Sequence, residues 1–224
     1  MYGILSAATW GAADFIGGLA SKRTSPYRVL FLAEIAGLIP FTALALLLRE
    51  PVPPASDMLI GAGSSLIGFV LAFTAVWFIS QTGSTDWRVS FADLRLPLFS
   101  GLFFGLYFLV IHRATLNAFF WPLAAARFSG LVIFGLYALI TRQPAMPPRD
   151  IWGLSLINGV IDIGGNAFYV LAAQTGRIDV AAVLGSLYPA STVVLAWIIL
   201  KERLTWLQIF GVLLAFIAIV LFTF

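Results

Sequence analysis

The sequence predicts an all-α fold, a polytopic transmembrane helix bundle of about eight spans, on three observations. Hydrophobic residues make up 61% of the chain and charged residues 10%, whereas soluble domains carry about a quarter charged residues. The mean hydropathy is +0.99. The apolar residues fall in runs of about 20, the length one helical crossing requires, separated by short breaks rich in charge, Pro or Gly. The 224 residues have room for about eight such crossings and for no separate soluble domain.

In chain order the spans are expected at about 2–20, 29–48, 58–80, 96–113, 118–140, 151–173, 179–200 and 205–224. No basic n-region precedes the first, so it reads as a retained span and not a cleaved signal. The second begins after the 21–26 break and ends before a stretch with three prolines at 51, 53 and 54. The third runs up to the polar segment 81–95. The fourth stops at His112 and Arg113, the fifth at Arg142, the sixth at Gln174, and the seventh at Lys201. Strands are excluded because an open sheet cannot satisfy its backbone in lipid and the runs lack the period of a barrel. An even number of crossings puts both termini on one side. Lys22, Arg23, Arg28, Arg88, Arg95, Arg142, Arg149, Lys201 and Arg203 share one side, and Arg49, Arg113 and Arg177 the other. That bias alone places the termini outside.

Composition also removes several function classes. The chain holds 13 Lys plus Arg against 10 Asp plus Glu, with no basic run of the kind that binds nucleic acid. It has no Cys and a single His, His112, so disulfides, thiolate chemistry and multi-histidine metal sites are absent and no cofactor is expected. A nucleophile turn could be imagined at Gly63-Ser64-Ser65, but no His lies at membrane depth to act as its base, so the chain reads as no enzyme.

An internal repeat organises the spans. A shift of 93 residues aligns Ala33, Gly37, Leu38, Phe41, Ala45, Leu46, Arg49, Pro54 and Asp57 with Ala126, Gly130, Leu131, Phe134, Ala138, Leu139, Arg142, Pro147 and Asp150. Matched Gly, Arg, Pro and Asp at one register indicate duplication. A shift of 143 aligns Gly68, Leu71, Ala72, Phe73 and Ala75 with Gly211, Leu214, Ala215, Phe216 and Ala218. The competing alignment keeps the first shift and pairs Gln81-Thr82-Gly83 and Asp86 with Gln174-Thr175-Gly176 and Asp179. Either way about two spans are missing from the first half, leaving three plus five. The expected division is a shortened first repeat at 1–83, a linker at 84–95 and a five-helix second repeat at 96–224. Repeats related by a pseudo-twofold axis in the membrane plane are an architecture of secondary transporters, with the substrate site where the halves meet.

The stretch from Ser186-Leu187-Tyr188-Pro189 to Ala196, followed by Lys201-Glu202-Arg203-Leu204-Thr205-Trp206, resembles the last helix pair of EamA-type transporters in the drug/metabolite transporter superfamily. Trp10-Gly11 and Ala126-Arg127-Phe128 resemble that family too. The resemblance covers essentially the whole chain. It implies inverted five-helix repeats, cytoplasmic termini and alternating-access movement of small metabolites. Cytoplasmic termini in the cell membrane are therefore expected, against the charge bias. The chain departs from the family by lacking the fourth span, parts of the third and fifth, and the first-half counterpart of Glu202-Arg203-Leu204.

Candidate site residues follow from spacing. Ser155, Asn158, Asp162, Asn166 and Tyr169 recur every three or four residues, within about an 80° arc of one helix face. Asp162 lies near mid-span, where an exposed acid costs about 2.5–3.5 kcal/mol, so it should face a cavity or a partner. Ser6, Trp10 and Asp14 follow the same spacing in the first span, setting an acid beside an aromatic suited to cation contact. Asp14 and Asp162 are the candidates for taking up and releasing protons during exchange; the alternative is that serine or backbone caps them. Glu34 and Arg127 hold equivalent repeat positions with opposite charge and read as a salt bridge, with capture of an anionic substrate group by Arg127 as the alternative. The family tends to have arginine at both places. Tyr188-Pro189 sits mid-span, where proline bends a helix and can turn carbonyls into a cavity. Glu202 and Arg203 read as a turn-fixing pair.

The reading is a transporter of a small metabolite or drug-like solute, working by alternating access and coupled to protons. Its rival is a non-transporting deletion variant or membrane scaffold. Convergence of Asp14, Asp162 and Arg127 on one cavity would separate them. The expected partners are the lipid bilayer, a small-molecule substrate and a second copy of the chain in a homo-oligomer.

Overall fold

The computed structural model describes residues 1–67, 91–201, 203, 204 and 206–223, with side chains at 91–98, 100, 207, 218, 222 and 223 left aside. The end of the expected third span from Gly68, the segment through Gln81 and Asp86 to Arg88, most of the 84–95 linker, and Glu202 and Thr205 lie outside the described residues. Among the described residues the secondary structure is helical, and helices occupy all eight expected places. They are α1 (Tyr2–Ser21), α2 (Pro26–Leu47), α3 (55–67), α4 (Phe91–Ala114), α5 (Phe120–Thr141), α6 (Trp152–Gln174), α7 (Ile178–Gly185), α8 (Tyr188–Leu200) and α9 (Trp206–Thr223). By length and composition, α2, α5, Arg149–Gln174 and Ile178–Leu200 can cross a membrane.

Two boundaries differ from expectation. α4 is already helical at Phe91, the first described residue after position 67, and not only from 96, and no Pro or Gly interrupts the chain between 91 and 96. The seventh span is two helices, α7 and α8, broken at Ser186 and Leu187 with Pro189 in the first turn of α8. Proline has no N–H to continue the ladder and is pre-shaped for a helix start, so the expected bend is a full interruption.

α2 and α5 are built alike. Val29, Ala33, Gly37, Phe41 and Ala45 are buried on α2, and on α5 Pro122, Ala126, Gly130, Phe134 and Ala138 are buried at the same register. Each helix ends with an arginine in the left-handed region, Arg49 and Arg142, both at φ 53°. Glu50 N–H donates back to Ala45 O at 2.8 Å and Gln143 N–H to Ala138 O at 2.9 Å. This closing turn usually has glycine at the left-handed position; arginine there sets a positive charge at the negative end of the helix dipole.

The two helices pack with reciprocal contacts. A Cβ on Gly37 would lie 3.1 Å from Arg127 Cδ, and one on Gly130 would lie 2.8 Å from Glu34 Cδ. Each side chain thus crosses the other helix at its glycine. Tyr27 meets Tyr137 edge-on at 5.1 Å. Partners fall in α5 as they rise in α2, so the helices run antiparallel, and the exchange of positions is that of an isologous two-fold contact.

The ends repeat the exchange. The Glu50 carboxylate accepts the backbone N–H groups of Phe119, Phe120 and Trp121 at 2.6, 2.9 and 3.1 Å, satisfying unpaired donors at the start of α5. At the opposite end the Tyr27 hydroxyl donates to Gln143 Oε1 and Pro144 O, both at 3.1 Å.

α1 runs antiparallel to α6, pairing Ser6 with Gly165 and Gly17 with Asn158. α4 runs parallel to α6, pairing Phe108 with Tyr169 and Thr115 with Gln174. α1 and α4, which the 93-residue shift equates, therefore point in opposite directions, as α2 and α5 do. The core holds Trp10, Phe108 and Tyr169 with Phe41, Leu123 and Val170 around them. Large apolar side chains such as Leu139, Ile140, Ile198, Leu213 and Phe216 face outward, as lipid-facing residues must.

Candidate functional site

The site is built around Arg127. Small residues at Ala124, Ala126 and Gly130 let α5 approach its neighbours closely, and the Arg127 side chain is only 13% exposed. Its Nη1 donates to Glu34 Oε2 at 3.4 Å, and its Nη2 donates to Asp162 Oδ2. One planar guanidinium therefore serves two carboxylates, an arrangement its fork suits. The network continues through Asn166, whose Nδ2 donates to Asp162 O at 2.9 Å and to Asp162 Oδ2 at 3.3 Å. The Tyr107 hydroxyl donates to Asn166 Oδ1. A connected path of polar groups thus runs from α2 through α5 and α6 to α4.

This path borders a cavity of about 220 Å³. Trp10, Asp14, Arg127, Asp162, Asn166 and Tyr188 all line it, so six of the nine predicted residues meet in one place. Glu34 stands behind the wall and reaches the cavity through Arg127. Asp14, Asp162 and Arg127 thus all line this one cavity. The predicted Glu34–Arg127 salt bridge forms, and Arg127 also binds Asp162.

Two predicted residues are not at the cavity. Asn158, 6% exposed, packs where α6 faces Gly17 of α1. Tyr169 is fully buried, and its hydroxyl donates to Phe108 O at 3.1 Å. Its ring stacks on Phe108 at 4.2 Å and lies 6.0 Å from Trp10, so it supports the cavity wall from behind. Both sit on the polar face of α6, but the outer turns of that face meet neighbouring helices.

Four wall residues were outside the predicted set: Phe104 and Tyr107 on α4, and Leu123 and Ala126 on α5. The repeat held a signal for one of them, because the 93-residue shift carries Asp14 onto Tyr107. Phe104 packs against Trp10, Tyr107, Phe108 and Tyr188, joining α1, α4 and α8. Outside the spans, Arg177 Nε and Nη2 donate to the Asp179 carboxylate at 3.1 and 3.0 Å, a pair about two-thirds exposed.

A search of curated proteins finds no match to the chain. The family model of the EamA-like transporter family matches it twice, over residues 1–106 and 94–224. Two matches that together span the chain agree with its paired antiparallel helices, and the protein belongs to the EamA-like transporter family, membrane transporters of small solutes.

Proposed function

We propose that this chain moves a small metabolite by alternating access through the cavity between α1, α4, α5, α6 and α8, coupled to proton exchange at Asp14 and Asp162. The observation that carries this reading is the position of the cavity. It lies between α1 and the helices α4, α5, α6 and α8, with two carboxylates and an arginine on its wall; with α1 assigned to one inverted half and the others to the second, that is where transporters built from inverted repeats place their sites. A volume of about 220 Å³ is below the roughly 300–1,000 Å³ of drug-sized sites, which favours the metabolite over the drug-like solute. In this reading α1–α3 belong to the shortened first repeat and α4–α9 to the second. Both termini are cytoplasmic, in the cell membrane.

The test is uptake into proteoliposomes driven by an imposed pH gradient, comparing the native chain with Asp162→Asn and Asp14→Asn. Gradient-driven accumulation should fall at least tenfold in each variant. Equal accumulation in all three removes the coupling assignment, and a native chain that moves no solute under any gradient favours the scaffold. Because the chain has no Cys, single cysteines placed at Ser25 and at Ala145 report sidedness by reaction with impermeant thiol reagents in intact cells. Cytoplasmic termini put both of these loops outside and reactive.

A further inference from the structure

We propose that the substrate of this cavity is a compact organic monocation, an amine or quaternary ammonium. The inference rests on the transporter reading above and concerns which charge the site accepts. Among the described residues Arg127 is the only basic one on the cavity wall, and its Nη1 and Nη2 each already hold a carboxylate, that of Glu34 and that of Asp162. An incoming anion would meet a guanidinium whose single charge is already matched by two carboxylates. Asp14 is in the opposite condition. It lines the cavity, and among the described residues it has neither a hydrogen bond nor an ion pair. Among the described residues three acids, Asp14, Glu34 and Asp162, stand against one base, so the site has more acidic than basic groups.

The rest of the wall suits a cation. Trp10 is one helical turn before Asp14 on the same face of α1, and Phe104, Tyr107 and Tyr188 bring three more rings to the cavity. Phe104 and Tyr188 lie 5.4 Å apart and Trp10 and Phe104 6.0 Å apart, so the rings form a continuous surface. Aromatic faces attract ammonium groups through their quadrupoles, and the attraction rises as water is excluded. Size follows from volume. The cavity of about 220 Å³ is smaller than the roughly 300–1,000 Å³ of drug-sized sites, which favours a small ion.

The experiment measures equilibrium binding of three probes of one shape and different charge to the purified full chain in detergent: choline, its neutral isostere 3,3-dimethylbutan-1-ol, and the anion 3,3-dimethylbutanoate. Choline should bind at least tenfold more tightly than the neutral probe, with the anion weakest. Asp14→Asn should remove most of that tenfold preference while leaving the neutral probe unchanged, and Asp14→Glu should keep it, with monodisperse elution showing that each variant is folded. Equal binding of choline and the alcohol, tighter binding of the anion, no binding of any probe at millimolar concentration, or an unchanged preference in Asp14→Asn each overturns the proposal. Flux is measured separately in proteoliposomes. Charge preference without flux of any solute sinks the transporter reading and leaves the cation site standing; flux that prefers anions does the reverse.

Discussion

Between α2 and α5 the packing positions coincide and the charged positions do not. Five buried residues match at one register, both helices close on a left-handed arginine, and each glycine receives the other helix's long side chain. Yet the side chain that crosses is Glu34 in one direction and Arg127 in the other. The ends differ likewise: a carboxylate holds three backbone amides where α5 starts, while at the other end a tyrosine hydroxyl donates to a side-chain amide oxygen and a backbone carbonyl. Packing has kept the two-fold relation. Charge has broken it, and the break is what lets one arginine on the axis gather acids from both halves.

The comparison is broken most severely by removing Arg127. Arg127→Met leaves Glu34 and Asp162 without a counter-charge, and a buried pair that loses one partner costs about 3–5 kcal/mol. The detergent melting temperature should fall by roughly 10 °C. The exchange Glu34→Arg with Arg127→Glu tests the asymmetry directly. It should fail to restore stability, because Asp162 comes from the second half alone and would then face a glutamate. A melting temperature equal to the native one would mean that the axis is electrically symmetric.

The packing half of the comparison is sharpened by Gly37→Ala and Gly130→Ala. Each added methyl meets atoms 2.8 Å away, Ile163 Cγ2 and Glu34 Cδ respectively, and overpacking of this kind costs about 1–3 kcal/mol. The two losses in melting temperature should agree to within a few degrees. A large difference would show that only one of the glycines is a seat.

The ends give smaller effects. Glu50→Ala removes the acceptor for three amides at the start of α5 and should cost about 0.5–2 kcal/mol, read as a lowered melting temperature. Tyr27→Phe loses the hydroxyl donor at an exposed site and should cost about 0.5 kcal/mol. Arg177→Ala, which breaks an exposed pair, should leave the melting temperature where it was, since salt bridges in water contribute little.

Part of the site was legible because the repeat and the helical period both leave marks in the chain. Glu34 opposite Arg127 followed from one shift, and Asp162 and Asn166 from a polar face at spacings of three and four. Asn158 and Tyr169 carry the same periodic mark but pack away from the cavity, because period gives the angle of a side chain about its helix and not what stands opposite at that depth. Phe104 carries no mark at all. An aromatic residue in an apolar span faces lipid, core or cavity without any change in the sequence around it.

By itself the sequence determined the solvent, the helices and the duplication, since each depends on local composition and on comparison of the chain with itself. Only the tertiary structure decided that Arg127 is already engaged, that Asp14 has no partner among the described residues, and that four rings from α1, α4 and α8 line one space. Those facts depend on distances between residues far apart in the chain. They are set by how closely the small residues of α1, α2, α5 and α6 let the helices approach.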